Sequence, residues 1–286
     1  MRRTVLVAGA TGNTGRALVR ELRQAGMIVR AAARRRHRLL SLEVADVVEI
    51  DYANPQSLAR AFHGVDRVYM APPLVPEMAA LTEQVVEAAV RAGTRQFVKL
   101  SGFGAAAPDA LQVGRWHRAA ERVVESSGLA WTHLRPNSFM QNFINNHLGS
   151  IRMLGLFHDP VGDGRVSYID AEDIAAVAAR VLTEPGHGGR AYTLTGPEAL
   201  SSHEVAGLFS QVAGRQVRCV EVSVEAARDA MFGFGLPVAV ADAITEWYRH
   251  MRSGMLAGVS PAVEEITGRT PRSFSEFVAV RGELFQ

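Results

Sequence analysis

The 286-residue sequence has too little of several residue types to belong to some broad classes of protein. Cys219 is the only cysteine, which excludes an intramolecular disulfide and a cysteine-rich metal site. No apolar run reaches the roughly 20 residues that a membrane-spanning helix needs. The first strand pattern begins at Thr4 and leaves no room for the apolar region of a signal peptide. We therefore expect a cytoplasmic protein that does not enter a membrane.

Charge and histidine spacing exclude two further kinds of partner. The formal net charge is only +2, and the one basic run, residues 34–38, has a separate explanation given below. We therefore expect no nucleic-acid partner. The nine histidines show neither His-x-His nor His-x-x-x-His spacing, so we expect no metal site.

Up to about residue 135, short β-branched apolar runs alternate with helical patterns. This rhythm is typical of βαβ units and predicts an α/β fold with a doubly wound parallel sheet. Asn54-Pro55 reads as the start of a helix. The expected strands cover residues 4–8, 28–33, 47–50, 67–70, 96–101 and 130–135. The expected helices cover residues 13–25, 55–62, 77–92 and 112–127. After Arg135 helical patterns dominate, a glycine-rich stretch covers 149–164, and short strands are expected near 191–195 and 217–222.

A glycine turn lies between the first strand and the first helix. In this context the first glycine permits a sharp turn, the second lets the backbone approach a pyrophosphate, and the third lets the helix pack closely on the sheet. The helix N-terminus then offers free N–H groups to the phosphates. The sequence therefore predicts a Rossmann-type dinucleotide site. The expected contacts in the turn are Gly9, Thr11, Gly12, Asn13, Thr14 and Gly15.

The end of the second strand indicates which dinucleotide binds. A carboxylate there suits the ribose 2′-hydroxyl of NAD, whereas an arginine suits the 2′-phosphate of NADP. Here the strand runs into Arg34-Arg35-Arg36, with no carboxylate before Glu43. We predict NADPH/NADP as the cofactor, held by Arg34 with help from Arg35. The alternative is a solvated basic loop.

Further cofactor contacts are expected after the later strands, because ligands bind outside the carboxyl ends of parallel strands. Asp51 follows the third strand and either contacts the adenine amino group or is a turn residue. Ala71, Pro72 and Pro73 follow the fourth strand and should lie along the cofactor. Ser101 ends the fifth strand and either binds ribose or substrate or only forms a turn.

The acid–base pair of typical short-chain dehydrogenases is missing. That pair is a tyrosine with a lysine four residues later, which lowers the pKa of the tyrosine. Lys99 is the only lysine, and the residue four positions before it is Arg95. A reduction by this chain needs another proton source, or none beyond water.

His117 is the best candidate for a proton donor. It lies on the helix after the fifth strand, and Glu121, four residues later, is near enough to pair with it and raise its pKa. The alternative is a boundary histidine paired with Glu121 and without chemistry. The expected buried stripe of this helix consists of Val113, Trp116, Ala120 and Val123.

Two other groups of residues have simpler explanations. The carboxylates Asp170, Glu172 and Asp173 fit a helix N-terminus better than a catalytic cluster. The aromatic pairs Trp247-Tyr248 and Phe232-Gly233-Phe234 line an apolar pocket or belong to the core or a subunit interface.

Several of these motifs together resemble the NmrA-like, atypical short-chain dehydrogenase/reductase family, in its quinone-reductase-like branch. The resemblance covers nearly the whole chain. It rests on Gly9-x-x-Gly12-x-x-Gly15, Arg34, Trp116-His117-Arg118-x-x-Glu121, residues 127–142, Tyr192-x-Leu194-Thr195-Gly196-Pro197-Glu198 and Gly268-Arg269-x-Pro271-Arg272-x-Phe274.

The resemblance implies an NADP(H)-binding Rossmann domain over residues 1–135. Residues 136–286 would form a smaller α/β substrate-binding part that packs on it and is not independent. It also implies that Asn137 and Phe139 lie where the loop of that family meets the nicotinamide and the substrate. The expected substrate contacts are Phe103, Trp116, Phe139 and Asn142.

We therefore expect an NADPH-dependent reductase, a monomer or homodimer, whose substrate is a small molecule. A conjugated acceptor such as a quinone, enone or imine needs little acid assistance, because the added negative charge delocalises. This fits the missing tyrosine–lysine pair. The rival hypothesis is a non-catalytic NADP(H)-binding redox sensor, and an isomerase or cyclase is a third possibility.

Overall fold

A computed structural model describes residues 4–42 and 44–285. Residues 1–3, on which the expectation about a signal peptide depends, lie outside the described residues. The chain divides into two compact units. The first comprises Met1–Ala110, Gly114–Arg135 and Ile174–Thr193, and the second comprises Leu111–Val113, Pro136–Asp173 and Leu194–Gln286.

The secondary structure begins with the predicted alternation of strands and helices and becomes mostly helical towards the end. The strands are β1 Thr4–Ala8, β2 Ile28–Ala33, β3 Asp46–Glu49, β4 Arg67–Met70, β5 Gln96–Leu100, β6 Ala130–Pro136, β7 Leu156–Asp159, β8 Arg190–Leu194 and β9 Arg218–Glu221. The helices are α1 Asn13–Gln24, α2 Pro55–Phe62, α3 Met78–Arg91, α4 Gln112–Glu125, α5 Gln141–Leu154, α6 Ala171–Thr183, α7 Ser202–Ala213, α8 Val224–Gly233, α9 Val238–Arg252, α10 Ala262–Thr267 and α11 Phe274–Ala279. Two 3₁₀ helices cover Arg36–Leu42 and Gly282–Leu284.

The central sheet has the strand order β3-β2-β1-β4-β5-β6-β8. The five pairings from β3 to β6 are parallel. The order of the first six strands is that of the Rossmann fold, so the predicted fold class is confirmed. Valine, leucine and alanine side chains of β1 and β2 are fully or nearly fully buried, as expected for central strands covered by helices.

Helix α2 begins where the sequence predicts. The side chain of Asn54 accepts hydrogen bonds from the backbone N–H groups of Gln56 and Ser57, and Pro55 occupies the first turn. This cap satisfies backbone donors that have no partner inside the helix. It fixes the path of the chain directly after β3, where Asp51 lies.

The second unit has an aromatic core and a parallel two-stranded sheet, β7-β9. The ring of Phe143 contacts four other buried rings within 5.3–5.8 Å: Phe157, Tyr168, Phe209 and Phe274. Helix α5 and strand β7 were not predicted. Gly149 lies inside the helix, and Gly155 ends it in the left-handed conformation with φ +64°. The glycine-rich stretch thus contains the end of a helix, its cap and a strand.

The carboxylates at the start of α6 stabilise the helix N-terminus, as predicted. Asp170 Oδ1 accepts from the backbone N–H of Glu172, and its other oxygen pairs with Arg272. Asp173 Oδ2 accepts from the backbone N–H of Arg272. These residues hold the C-terminal segment of the second unit.

None of the helices in the described part of the chain combines the length and the hydropathy that a membrane span requires.

Candidate active site

The glycine turn after β1 has the geometry that a dinucleotide site requires. Gly9 has φ +96°, and a Cβ at this position would lie 3.1 Å from the Cβ of Ala71. A Cβ on Gly15 would collide with the carbonyl oxygen of Gly9. The first glycine therefore permits the turn, and the third permits α1 to approach it closely.

The N-terminus of α1 is left open for an anion. Gly12 is the N-cap residue and provides no side-chain hydrogen bond to the helix. The first N–H groups of a helix have no partner within it, so those of Asn13, Thr14 and Gly15 can donate to a ligand. No acidic residue lies in the first turn. These residues fit the pyrophosphate of a dinucleotide.

Arginines surround this end of the sheet. Arg34 and Arg35 are exposed and directly follow β2. Sequence reasoning missed Arg16, whose Nε donates to the carbonyl of Thr11 at 2.9 Å and whose Nη1 donates to Ser41 Oγ at 3.2 Å. Arg16 thus links the glycine turn to the 3₁₀ helix that follows the two arginines.

The predicted contacts after β3 and β4 lie at the same edge of the sheet. Asp51 is exposed and its Oδ1 accepts from the backbone N–H of Ala53 at 3.0 Å, which is the geometry of a turn residue. The backbone N–H of Ala71 donates to the carbonyl of Ala8 at 3.0 Å. This bond places Ala71, Pro72 and Pro73 beside the glycine turn. Their contacts with the cofactor stay predictions.

A buried ion-pair network lies between β5, β6 and α4. The Glu121 carboxylate is fully buried and accepts from Arg135 Nε at 2.8 Å and from Arg135 Nη2 at 2.7 Å. Ser101 Oγ donates to Glu121 Oε1 at 2.7 Å, so its hydroxyl proton is already committed. Burial alone would raise the pKa of Glu121, but the hydrogen bonds from Arg135 and Ser101 lower it to about 2.

The ring of His117 is paired with Lys99 instead of Glu121. Lys99 Nζ lies 3.1 Å from His117 Nδ1 and also donates to the carbonyl of Leu100. Glu121 acts to raise the pKa of His117, as expected from the sequence, but this effect is not the dominant one. Burial and the charge of Lys99 hold the pKa of His117 well below its usual range and outweigh the effect of Glu121. The imidazole is therefore neutral near pH 7.

The other side of the His117 ring lies against Gly102. A Cβ at Gly102 would lie 2.9 Å from His117 Cδ2 and 3.3 Å from Nε2. The glycine directly after Ser101 thus leaves room for the imidazole at the carboxyl end of β5.

Only Ala120 of the predicted stripe on α4 is buried, because the buried side of the helix follows a different set of positions. Its buried residues are Gly114, Ala120, Glu121 and Val124.

One grouping in the described part of the chain has the composition of a cation site. Ligand atoms of Glu121, Glu125 and His133 lie within 4.8 Å of one another. However, Arg118 donates to both carboxylates, at 3.1 Å and 2.6 Å. Since guanidinium groups already compensate these charges, we assign the grouping to the ion-pair network and not to a metal.

The remaining predicted residues lie in both units. In the first unit, Phe103 and Trp116 are half-buried. In the second unit, Phe139 is half-buried and Asn142 is exposed. Their roles in substrate binding stay predictions.

Asn137 is fully engaged within the second unit. Its Nδ2 donates to Ser167 Oγ at 2.8 Å and to the carbonyl of Leu256 at 2.9 Å. Its Oδ1 accepts from the backbone N–H of Ser138. The side chain thus ties the start of the second unit to a later loop, and its contact with the nicotinamide stays a prediction.

The aromatic pairs that could line a pocket have different surroundings. Trp247 Nε1 donates to Oγ of Ser138, the residue before Phe139, at 3.3 Å. Phe234 is 86% exposed, so it is not a core residue of the second unit.

Comparison with known proteins identifies the family. Residues 9–185 match the family described as NAD(P)H-binding, so the chain belongs to it. The chain is 42% identical to the NAD(P)H azoreductase of Xenophilus azovorans, over 98% of this chain and 99% of that protein. It is 40% identical to the (4-alkanoyl-5-oxo-2,5-dihydrofuran-3-yl)methyl phosphate reductase of Streptomyces griseus, with the same coverage of both proteins.

A solved structure has the same fold over nearly the whole chain. The NADPH complex of the quinone oxidoreductase QOR2 from Escherichia coli superposes with a TM-score of 0.84 and 25% identity, over 97% of this chain and 99% of that chain. The family resemblance and the dinucleotide cofactor predicted from the sequence are therefore confirmed.

Proposed function

We propose that this chain is an NADPH-dependent reductase that delivers hydride to a planar, conjugated small molecule of the quinone, enone or imine type. NADPH supplies the hydride when it is bound. The observation that carries the proposal is the position of His117. Its ring lies against Gly102 at the end of β5, at the sheet edge that also bears the glycine turn.

We assign cofactor binding and proton donation to different residues of the first unit at this edge of the sheet. The open N-terminus of α1 binds the pyrophosphate, and Arg34 and Arg35 bind the 2′-phosphate. His117 donates a proton from Nε2 to the oxygen or nitrogen on which negative charge develops. Because that charge delocalises over a conjugated acceptor, a neutral imidazole is a sufficient acid.

The relatives support the choice of acceptor. An azo bond and a quinone are the groups named for two of them. Both are planar and conjugated, and both take up two electrons and protons without any bond to the protein. The half-buried rings of Phe103 and Trp116 are suited to stack on such a plane.

The test is single-turnover oxidation of bound NADPH with a quinone, an enone and an azo compound, followed by the loss of nicotinamide absorbance. We expect oxidation with at least one acceptor and a slower rate in His117→Gln. His63→Gln, which changes an exposed histidine of the same unit, is the control and should react like the wild type. Tight NADPH binding with no oxidation by any acceptor would contradict the proposal and favour the sensor.

A further inference from the structure

The only lysine of the sequence lies directly behind the proposed proton donor. Lys99 is fully buried in β5, where it interrupts an otherwise apolar strand interior. Its Nζ contacts His117 Nδ1 at 3.1 Å and the carbonyl of Leu100 at 3.1 Å. A lysine is almost never fully buried unless it is paired, and the only side chain that contacts Nζ here is the imidazole of the proposed proton donor.

The contact fixes the state of the imidazole. An ammonium group has three donors and no acceptor. When Lys99 is charged, His117 Nδ1 must therefore accept, and the ring proton must be on Nε2. Nε2 is the nitrogen near Gly102, at the end of β5, while Nδ1 faces the interior. The lysine thus keeps a donor at the sheet edge.

We propose that Lys99 acts through His117 as the proton source of the reduction. This inference rests on the proposed function. Lys99 is a positioning residue, since in this scheme it never touches the acceptor. It holds the imidazole in the Nε2–H tautomer and replaces the proton that Nε2 gives away.

The proton movements balance as follows. The acceptor takes a hydride from NADPH, and its oxygen or nitrogen gains an electron pair. The N–H bond at His117 Nε2 breaks, and that proton forms the new O–H or N–H bond of the product. One N–H bond of the Lys99 ammonium breaks, and its proton binds His117 Nδ1. Lys99 ends as a neutral amine and His117 as a neutral imidazole.

The pair is restored through the same ring. A hydronium ion of the solvent gives a proton to Nε2 and becomes water, and Nδ1 returns its proton to Lys99, so each turnover takes up one proton from the medium. The buried lysine therefore needs no path of its own to solvent.

The charges around Lys99 set the pH range of this relay. Burial lowers the pKa of Lys99 to about 7, the carboxylate of Glu121 opposes this shift, and Arg135 adds to it. His117 on α4 and His133 on β6 also face the lysine, and burial keeps the pKa of each below its usual range. Lys99 is therefore charged below about pH 7, and the relay fails as the pH rises through that value.

The first test reads the lysine directly and needs neither cofactor nor acceptor. Protein labelled with ¹³C-lysine, and with no lysine in any tag, gives one lysine side-chain signal, because the sequence has one lysine. We expect this signal to titrate with a midpoint near 7. A midpoint near the ordinary value of about 10.4 would overturn the proposal.

The second test is the pH profile of single-turnover quinone reduction. In the wild type we expect the rate to fall above about pH 7. In Lys99→Met we expect a rate about 100-fold lower at pH 6, the lower end of the usual effect of a general acid, and no inflection near 7. Arg122→Gln, which changes an exposed residue of the helix that carries His117 and leaves the lysine contact intact, is the control and should keep the inflection.

Lys99→Arg separates proton transfer from simple charge. A guanidinium keeps the positive charge but does not give up a proton in proteins. We expect it to be as slow as Lys99→Met. Recovery of the wild-type rate in Lys99→Arg, or an unchanged inflection in Lys99→Met, would overturn the relay. Absence of any turnover in the wild type would instead contradict the proposed function.

Discussion

Charged groups have opposite surroundings in two parts of the central sheet, the exposed side next to β1 and β2 and the buried side next to β5 and β6. Next to β1 and β2, the chain offers exposed guanidinium groups of Arg34 and Arg35 and an open helix N-terminus. Next to β5 and β6, Lys99, Glu121 and Arg135 are largely or fully buried; Glu121 is paired with Arg135, and Lys99 contacts His117. The first side is complementary to a ligand that brings its own negative charges. The second side pairs its carboxylates with guanidinium groups of the protein and holds Lys99 against one imidazole.

The largest expected effect is a loss of stability when the ion pair of the buried side is broken. Glu121→Gln leaves Arg135 without its charge partner, and loss of one member of a buried pair costs roughly 3–5 kcal/mol of unfolding free energy. Denaturant unfolding at pH 7 measures it. Glu87→Gln, which removes an exposed pair on α3, is the control and should cost under about 1 kcal/mol.

The same variant has a defined pH dependence. The pKa of Glu121 is lowered in the folded state to about 2, so its contribution is complete above its ordinary pKa of about 4.3. As the pH falls from there towards 2, the difference between wild type and Glu121→Gln should shrink. A difference that stays constant over this range would show that the carboxylate charge does not stabilise the network.

The next effect concerns the exposed side. Arg34→Ala should weaken NADPH binding by about 1.5–3 kcal/mol, the value of a hydrogen bond to a charged group, and leave NADH binding unchanged. Dissociation constants from nicotinamide fluorescence measure both. Arg38→Ala, in the same basic run, is the matched control. An equal loss for both cofactors would refute the assignment of Arg34 to the 2′-phosphate.

A smaller effect, on the rate of turnover, is expected from a substitution that moves only the imidazole of the buried side. In Gly102→Ala the new Cβ would lie 2.9 Å from His117 Cδ2, so the ring must shift. We expect about 10-fold slower turnover with an unchanged melting temperature, because a small displacement of a catalytic group costs rate rather than fold. A normal rate would show that the position of the ring does not matter.

The smallest expected effect is on stability and comes from a residue that belongs to neither side of the sheet. Gly149 is inside α5, and a Cβ there would meet no atom within 4 Å. Gly149→Ala should raise the unfolding free energy by about 0.5–1 kcal/mol through helix propensity alone, with cofactor binding unchanged. Thermal unfolding with and without NADPH checks this, and destabilisation would contradict the open environment of this glycine.

The exposed side could be predicted from the sequence because backbone requirements determine it. Gly9, Gly12 and Gly15 are required by a turn and by close packing, and these requirements appear as a fixed spacing. The arginines follow a strand whose bounds the apolar pattern gives. The first six strands of the sheet and the four helices α1 to α4 between them were predicted within two residues for the same reason.

The buried side could not be predicted because its contacts join residues that are distant in sequence. Glu121 is four residues from His117, and helical spacing made that pair the obvious one. The carboxylate instead bonds Arg135, and the imidazole bonds Lys99, eighteen positions earlier. The one available signal was a single charged residue within the apolar strand of residues 96–100, in a sequence that otherwise uses arginine.

Because the sequence has one lysine, chemical modification of that residue can measure how fast the buried site opens. Reagents that acylate amines find no exposed lysine side chain, because Lys99 is fully buried. Acylation of Lys99 therefore requires a local opening that exposes β5, and its rate at saturating reagent equals the rate of that opening. Mass spectrometry of one modified peptide would then time a local motion at the site of the proposed chemistry, with no engineered probe.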